Sequence, residues 1–165
     1  MVRAGRWTRR EDMAIFAIDL PKVDPWTHET PNLYTAVVTL HDPKGKVVDS
    51  TRVRVGFRTV EIKDRSLLLN GERVFIRGVN RHEHHERTGK VVDRATVLKD
   101  IELLKRFNFN AVRTSHYPPD PSFFDLCDEH GILCIDETNL ETHHHYNELC
   151  NDPRYASAFL DRGLR

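Results

Sequence analysis

"NAVRTSHYPPDPSFFDLCDEHGILCIDE", residues 110–137, decides the fold. "NAVRTS" reads as a short strand, and Pro118 and Pro119 turn the chain away from it. "DPSFFDLCDEHG" predicts a helix, with Asp120 as N-cap, Pro121 at the first helical position and Gly131 just past the end. "ILCIDETNLE" then predicts a buried strand. Working outward, "VFIRGVN" is a strand before this unit, and "DRATVLKDIELLKRFNF" is a helix. Asp93 caps that helix, and Val97, Ile101, Leu103, Leu104 and Phe107 fall at helical spacing. "DPRYASAFLDRGL" starts another helix with the same Asp-Pro entry. From residue 74 the order is β, α, β, α, β, loop, α, which implies a parallel sheet in a barrel or a doubly wound sheet. A complete barrel needs on the order of 250 residues. Residues 74–165 supply roughly three of eight βα units, so an incomplete barrel is expected.

The first part of the chain has a different period. "NLYTAVVTLHD" and "KVVDSTRVRVGF" are strand-like, the second alternating Thr51, Val53, Val55 and Phe57 against Ser50, Arg52 and Arg54. "DPKG" between them predicts a turn. In "SLLLNGERVFIRGV", Asn70-Gly71 between two apolar runs predicts a second hairpin. The expected division is a β-sandwich end segment over 1–62 and an α/β unit over 63–165.

The formal net charge is zero, which gives no electrostatic case for a nucleic-acid partner or an anionic membrane. No apolar run approaches the roughly 20 residues of a membrane span. The N-terminus carries basic residues without the apolar stretch of a secretory signal, so a cytoplasmic location is expected. The three cysteines, Cys127, Cys134 and Cys150, have no C-x-x-C spacing and are expected to be reduced, buried thiols.

Each predicted parallel strand ends in a polar cluster: Arg81, His82, Glu83 and His84; then His116 and Tyr117; then Asp136, Glu137, Glu141 and His143. Parallel strands put these ends on one face, the active face of α/β barrels. If their segment is extended, Glu141 and His143 point the same way and suit Mg²⁺, Mn²⁺ or Zn²⁺. His82 and His84 share a face too, which leaves open a metal-dependent amidohydrolase-type barrel. A histidine surface for a polyhydroxylated ligand is the other reading, and with it a non-catalytic carbohydrate-binding remnant.

"NAVRTSHYPPDPSFFDLCDEHGILCIDE" also resembles the signature region of glycoside hydrolase family 2, through Asn110, Arg113, Ser115-His116-Tyr117-Pro118, Asp128 and Gly131. "RGVNRHEHH" and "NLETH" are similar to the large bacterial β-galactosidases of that family. "PWTHETPNLYTAVVTLHD" resembles the strand that begins their second immunoglobulin-like domain. The resemblance covers roughly residues 25–165. It implies an immunoglobulin-like β-sandwich segment followed by the first part of a TIM (β/α)₈ barrel. It also implies hydrolysis of terminal β-D-galactosides such as lactose by a retaining, two-carboxylate mechanism, with a galactoside as partner and a homo-oligomeric full-length enzyme. Carried over by residue, His82 and His116 contact the sugar and stabilise the transition state, Arg113 orients a catalytic carboxylate, and Glu141 and His143 ligate Mg²⁺. Na⁺ or K⁺ is a further implied cofactor of the full-length enzyme. Glu83, His84 and His85 have no assigned role beyond fixing their loop.

The chain departs from the family pattern at two points. The acid/base glutamate follows an Asn later in the barrel, whereas Asn147-Glu148 here lies in the loop after the third strand. Both catalytic glutamates are therefore expected beyond Arg165, and the chain alone is expected to be inactive. His144 stands where the family usually has Gly after Glu-Thr-His, so an altered loop is expected there.

Overall fold

The computed structural model describes residues 6–10 and 13–164. Strands β1 (Arg6–Arg10) and β2 (Met13–Ala17) form an antiparallel pair. Strands β3 (Tyr34–His41) and β4 (Val47–Val55) form the expected hairpin, with Tyr34 opposite Val55. The Asp42–Gly45 turn closes it. The Asp42 carboxylate accepts from the backbone N–H groups of Lys44 and Lys46, and Gly45 takes the left-handed φ of +84° that the turn demands. The alternation read from the sequence has no buried face here: Val37, Val38, Leu40, Val47, Val48 and Val53 are all exposed. One hairpin cannot bury its own apolar face, so this is one layer of a sandwich.

Strands β5 (Val60–Lys63), β6 (Ser66–Leu69) and β7 (Glu72–Arg73) make a three-stranded antiparallel sheet. Its second turn is Asn70-Gly71, both at positive φ, as the Asn-Gly pair predicts. Its first turn, Asp64-Arg65, uses the same left-handed pair without a glycine and was not foreseen. This β5–β6 pairing crosses the 62/63 division. The apolar run after Gly71 does not complete the hairpin as expected. Strand β7 stops at Arg73, and the chain leaves that sheet to enter the next one.

The parallel unit is as predicted. Strand β8 (Gly78–Arg81), helix α1 (Arg94–Arg106), strand β9 (Ala111–Thr114), helix α2 (Pro121–His130) and strand β10 (Leu133–Ile135) follow one another. The sheet order is β8-β9-β10, all parallel. A loop containing 3₁₀ turns at His143–His145 and Pro153–Tyr155 leads to helix α3 (Ala156–Leu164). Asp93 and Asp120 cap α1 and α2 by accepting from the N–H groups of Thr96 and Ser122. Buried Asn110 ties the strand entrances together. Its side chain accepts from Arg77 N–H and donates to Phe75 O, and its own carbonyl accepts from Leu133 N–H.

The core between sheet and helices comprises Val97, Ile101, Leu104, Val112, Phe123, Leu126, Cys127 and Ile132. Two expectations change. Leu103 and Phe107, part of the predicted α1 stripe, are exposed at 39% and 67%. They line a cavity of about 410 Å³ beside the unpaired edge of β8. Strand β10 is expected to be buried, yet Ile135 is 54% exposed, because among the described residues β10 pairs with β9 alone. The structure is an open piece of barrel.

Trp26 joins the two parts. Of the strand expected over 25–42, Tyr34–His41 forms, and 25–33 is a turn with one isolated bridge, Trp26 to Pro31. Trp26 is 1% exposed, its indole N–H donates to Asp128 O at the end of α2, and Asn70 Nδ2 donates to Trp26 O. Gly131 caps α2 at φ +70°, and a Cβ there would sit 2.4 Å from His28 O. Cys127 is buried, Cys134 half-buried and Cys150 exposed, so the expectation of three buried thiols fails at Cys150. A hydrogen bond with Cys134, then burial, pushes the Cys127 thiol well above its ordinary range, and the same contact lowers Cys134. Among the described residues no helix is long and apolar enough to cross a membrane.

Candidate active site at the strand ends

The C-terminal ends of β8, β9 and β10 meet on one face, and two buried hydroxyls hold them in register. Ser115 donates through its hydroxyl and its backbone N–H to Arg81 O, tying β9 to β8. The Thr114 hydroxyl donates to Asp136 and accepts from Glu137 N–H, tying β9 to β10. Thr114 and Ser115 are 4% and 2% exposed, and buried hydroxyls of this kind have to be satisfied. Their pairing delivers His82, His116 and Glu137 to adjacent positions.

His82 and His116 are neighbours, with ring centroids 5.5 Å apart and nearly perpendicular. His82 also lies 5.8 Å from the His84 ring and 6.1 Å from the Tyr117 ring. Glu137 sits behind His116. Its Oε1 is 2.9 Å from His116 Nδ1, and its Oε2 is 2.7 Å from Arg113 Nη2. The Arg113 contact is a charge pair rather than an aligned hydrogen bond, and among the described residues Oε2 has no hydrogen-bond donor. Arg113 Nη2 is also 3.3 Å from His116 Nδ1. Thus the sequence-predicted trio comes together, His82 against His116, and His116 and Arg113 against Glu137, a residue to which sequence reasoning gave no role. The signal lay in the strand register. Ile135 lies beside Arg113, which puts Glu137 level with the residues just after β9.

The loop after β8 also acquires roles. Arg81, only 10% exposed at its side chain, contacts Glu83, bonds Asp100 of α1 at 3.0 Å and lies over the Phe123 ring. Tyr117 accepts from Glu83 N–H, and Lys90 lies over its ring. His85 closes a turn with Gly89, and its Nδ1 accepts from the N–H groups of Arg87 and Thr88. Glu83 and His85 therefore fix the loop, as expected of them. His84 stands beside His82 in the cavity lining.

Glu141 and His143 are not in an extended segment. His143 opens a 3₁₀ turn, and Glu141 Oε1 accepts from its backbone N–H at 3.0 Å, a local side-chain-to-backbone bond two residues along the chain. The side chains still approach each other, His143 Nδ1 lying 4.0 Å from Glu141 Oε1, and both are open to solvent. A carboxylate and an imidazole in this arrangement fit two positions around a divalent cation. Among the described residues no group of three metal-ligating side chains converges. His144 lies in the same turn, its ring packed edge-on against His145.

Comparison with known proteins identifies the family of the chain. The model of the glycosyl hydrolases family 2 TIM barrel domain matches residues 60–163, and a second model of glycosyl hydrolases family 2 matches residues 5–58. The chain belongs to glycosyl hydrolase family 2. The family match reaches further toward the N-terminus than the resemblance read from residue 25. Among curated relatives, the β-galactosidase of Alteromonas mediterranea is 46% identical over 160 residues, which is 96% of this chain and 15% of that relative. The β-galactosidase of Vibrio cholerae is 46% identical with the same coverage. The chain thus spans about 15% of the length of these relatives. Among solved structures of the family, the β-galacturonidase of Eisenbergiella tayi bound to galacturonate superposes with a TM-score of 0.70 at 35% identity, over 75% of this chain and 22% of that one. The β-glucuronidase of Ruminococcus gnavus in complex with D-glucuronic acid gives 0.70 at 33% identity over the same shares. Membership of family 2 removes the amidohydrolase-type reading.

Proposed function

We propose that this chain is the sandwich-to-barrel junction and first barrel strands of a retaining β-galactosidase acting on terminal β-D-galactosides such as lactose. The observation that carries the reading is the convergence of His82, His116 and Arg113 at the ends of neighbouring parallel strands. The galactoside is favoured over a uronide because the β-galactosidase relatives are 46% identical, against 33–35% for the uronidase structures.

In this reading His82 and His116 hold sugar hydroxyls with bonds that strengthen as charge develops in the transition state. Retaining hydrolysis needs two carboxyl groups about 5 Å apart. Glu83 and Glu137 are engaged by Arg81 and by Arg113 with His116, so neither is free for that work. The acid/base and the nucleophile come from other strands of the closed barrel, and Arg113 orients one of them. Glu141 and His143 would hold Mg²⁺, which keeps several waters and so needs few protein ligands. Its field would favour ionised carboxylates nearby. Na⁺ or K⁺ serves the complete enzyme, a cytoplasmic homo-oligomer.

The test is hydrolysis of paired chromogenic substrates by the protein that carries this stretch with its barrel closed. A β-galactoside turned over faster than the matching β-glucuronide supports the reading, and the reverse order overturns it. The 165-residue chain alone is expected to show no turnover above a tag-only control.

A further inference from the structure

We infer that Glu137 is a positioning residue that fixes His116 as the Nδ1–H tautomer, so that its bare Nε2 faces the sugar as a hydrogen-bond acceptor. This rests on the galactosidase reading only for the identity of the ligand. Three observations carry it. Glu137 Oε1 lies 2.9 Å from His116 Nδ1. An ionised carboxylate has only lone pairs to offer, so a contact that short requires the proton to sit on Nδ1. The competing neighbour, Arg113 Nη2, is 3.3 Å from the same nitrogen and 2.7 Å from Glu137 Oε2. A guanidinium has only donors, so its N–H, which is aligned on Nδ1 and not on Oε2, could bond that nitrogen only if it were bare; the shorter contact to Nδ1, 2.9 Å against 3.3 Å, is the carboxylate's, and the two arrangements predict opposite tautomers. Glu137 is itself held, its backbone N–H donating to the buried Thr114 hydroxyl at 2.9 Å, so its carboxylate is placed by β9. The bond made by one ring nitrogen of a histidine sets what the other can do. A neutral His116 held this way accepts from a sugar hydroxyl.

The test is magic-angle-spinning NMR of the full 165-residue chain with ¹⁵N-labelled histidine, a method that tolerates self-association. Above the titration range of histidine, His116 is expected to give an Nδ1–H pattern. Glu137→Ala, with β9 amide shifts retained, is expected to move it mainly to Nε2–H. Arg113→Met is expected to leave it unchanged. A wild-type His116 in the Nε2–H form overturns the inference, as does a tautomer that follows Arg113→Met. If Glu137→Ala does not fold, the wild type and Arg113→Met still decide. A separate arm adds methyl β-D-galactoside to the closed-barrel protein and follows the His116 Nε2 signal. An Nδ1–H tautomer with no response to the galactoside sinks the substrate reading and leaves the role of Glu137 standing.

Discussion

Substituting Glu141 with Gln or His143 with Phe is expected to weaken Mg²⁺ binding and turnover together in the closed-barrel protein, read by calorimetry and by a chromogenic assay. The ion takes few protein ligands, so losing one matters. His84→Ala is expected to leave Mg²⁺ affinity nearly unchanged, because His84 sits beside His82 rather than with the Glu141–His143 pair. Calorimetry in which His84→Ala abolished Mg²⁺ binding while Glu141→Gln did not would invert the assignment. At this scale the sequence was informative about residue types and weak about their partners. The motifs pointed to His82, His116 and Arg113, and the structure brings them together. Glu137 was passed over because its role depends on parallel strand register, which alternation along one strand cannot reveal. The 3₁₀ turn at His143 is not legible either, since it rests on the backbone bonds His145 N–H to Thr142 O and Tyr146 N–H to His143 O, for which "LETHHH" carries no turn residue.

The helices were legible down to their caps, because caps are local chemistry. Hydrogen bonds from Thr96 and Ser122 hold the Asp93 and Asp120 carboxyls below their usual 3.8. A depressed folded value stabilises above the unfolded pKa and is lost as pH falls through the folded one. Asp93→Ala or Asp120→Ala should therefore lower the melting temperature at pH 7, with the difference vanishing on acidification below the folded values. A gap that persisted in strong acid would remove the charge from the account. Gly131→Ala is expected to destabilise by more than about 1 kcal/mol in denaturant melts, since it adds a backbone clash with His28 O to an unfavourable φ. A neutral effect would mean that the His28 turn does not pack on α2. Strand burial was less legible than the helices. Strand β10 and the β3–β4 hairpin carry apolar residues that meet no covering layer among the described residues, so the pattern predicted a burial that is absent here.

As a whole, the molecule is a folded βαβαβ core attached to open β layers. Trp26 is the bolt between them, and Trp26→Ala is expected to cost about 3–5 kcal/mol, measured by denaturant unfolding of residues in α2. Leu103, Phe107 and Ile135 lie exposed on the core, and Val37, Val38 and Leu40 on the hairpin. The isolated chain is therefore expected to self-associate with rising concentration in sedimentation experiments. A strictly monomeric chain would show that these faces are covered. The sequence announced this openness, since three βα units cannot close a barrel of eight. It could not announce how the layers dock, because Trp26 bonds a backbone carbonyl about a hundred residues away. We propose that the three strand ends form one sugar-binding face and that His116 serves it without ligating the metal. The most direct measurement is the kcat of His116→Phe in the closed-barrel protein, with bound Mg²⁺ quantified in the same sample. The account predicts a fall of about 10²–10³-fold in kcat with Mg²⁺ retained. An unchanged kcat, or a loss of activity that tracked loss of Mg²⁺, would contradict it.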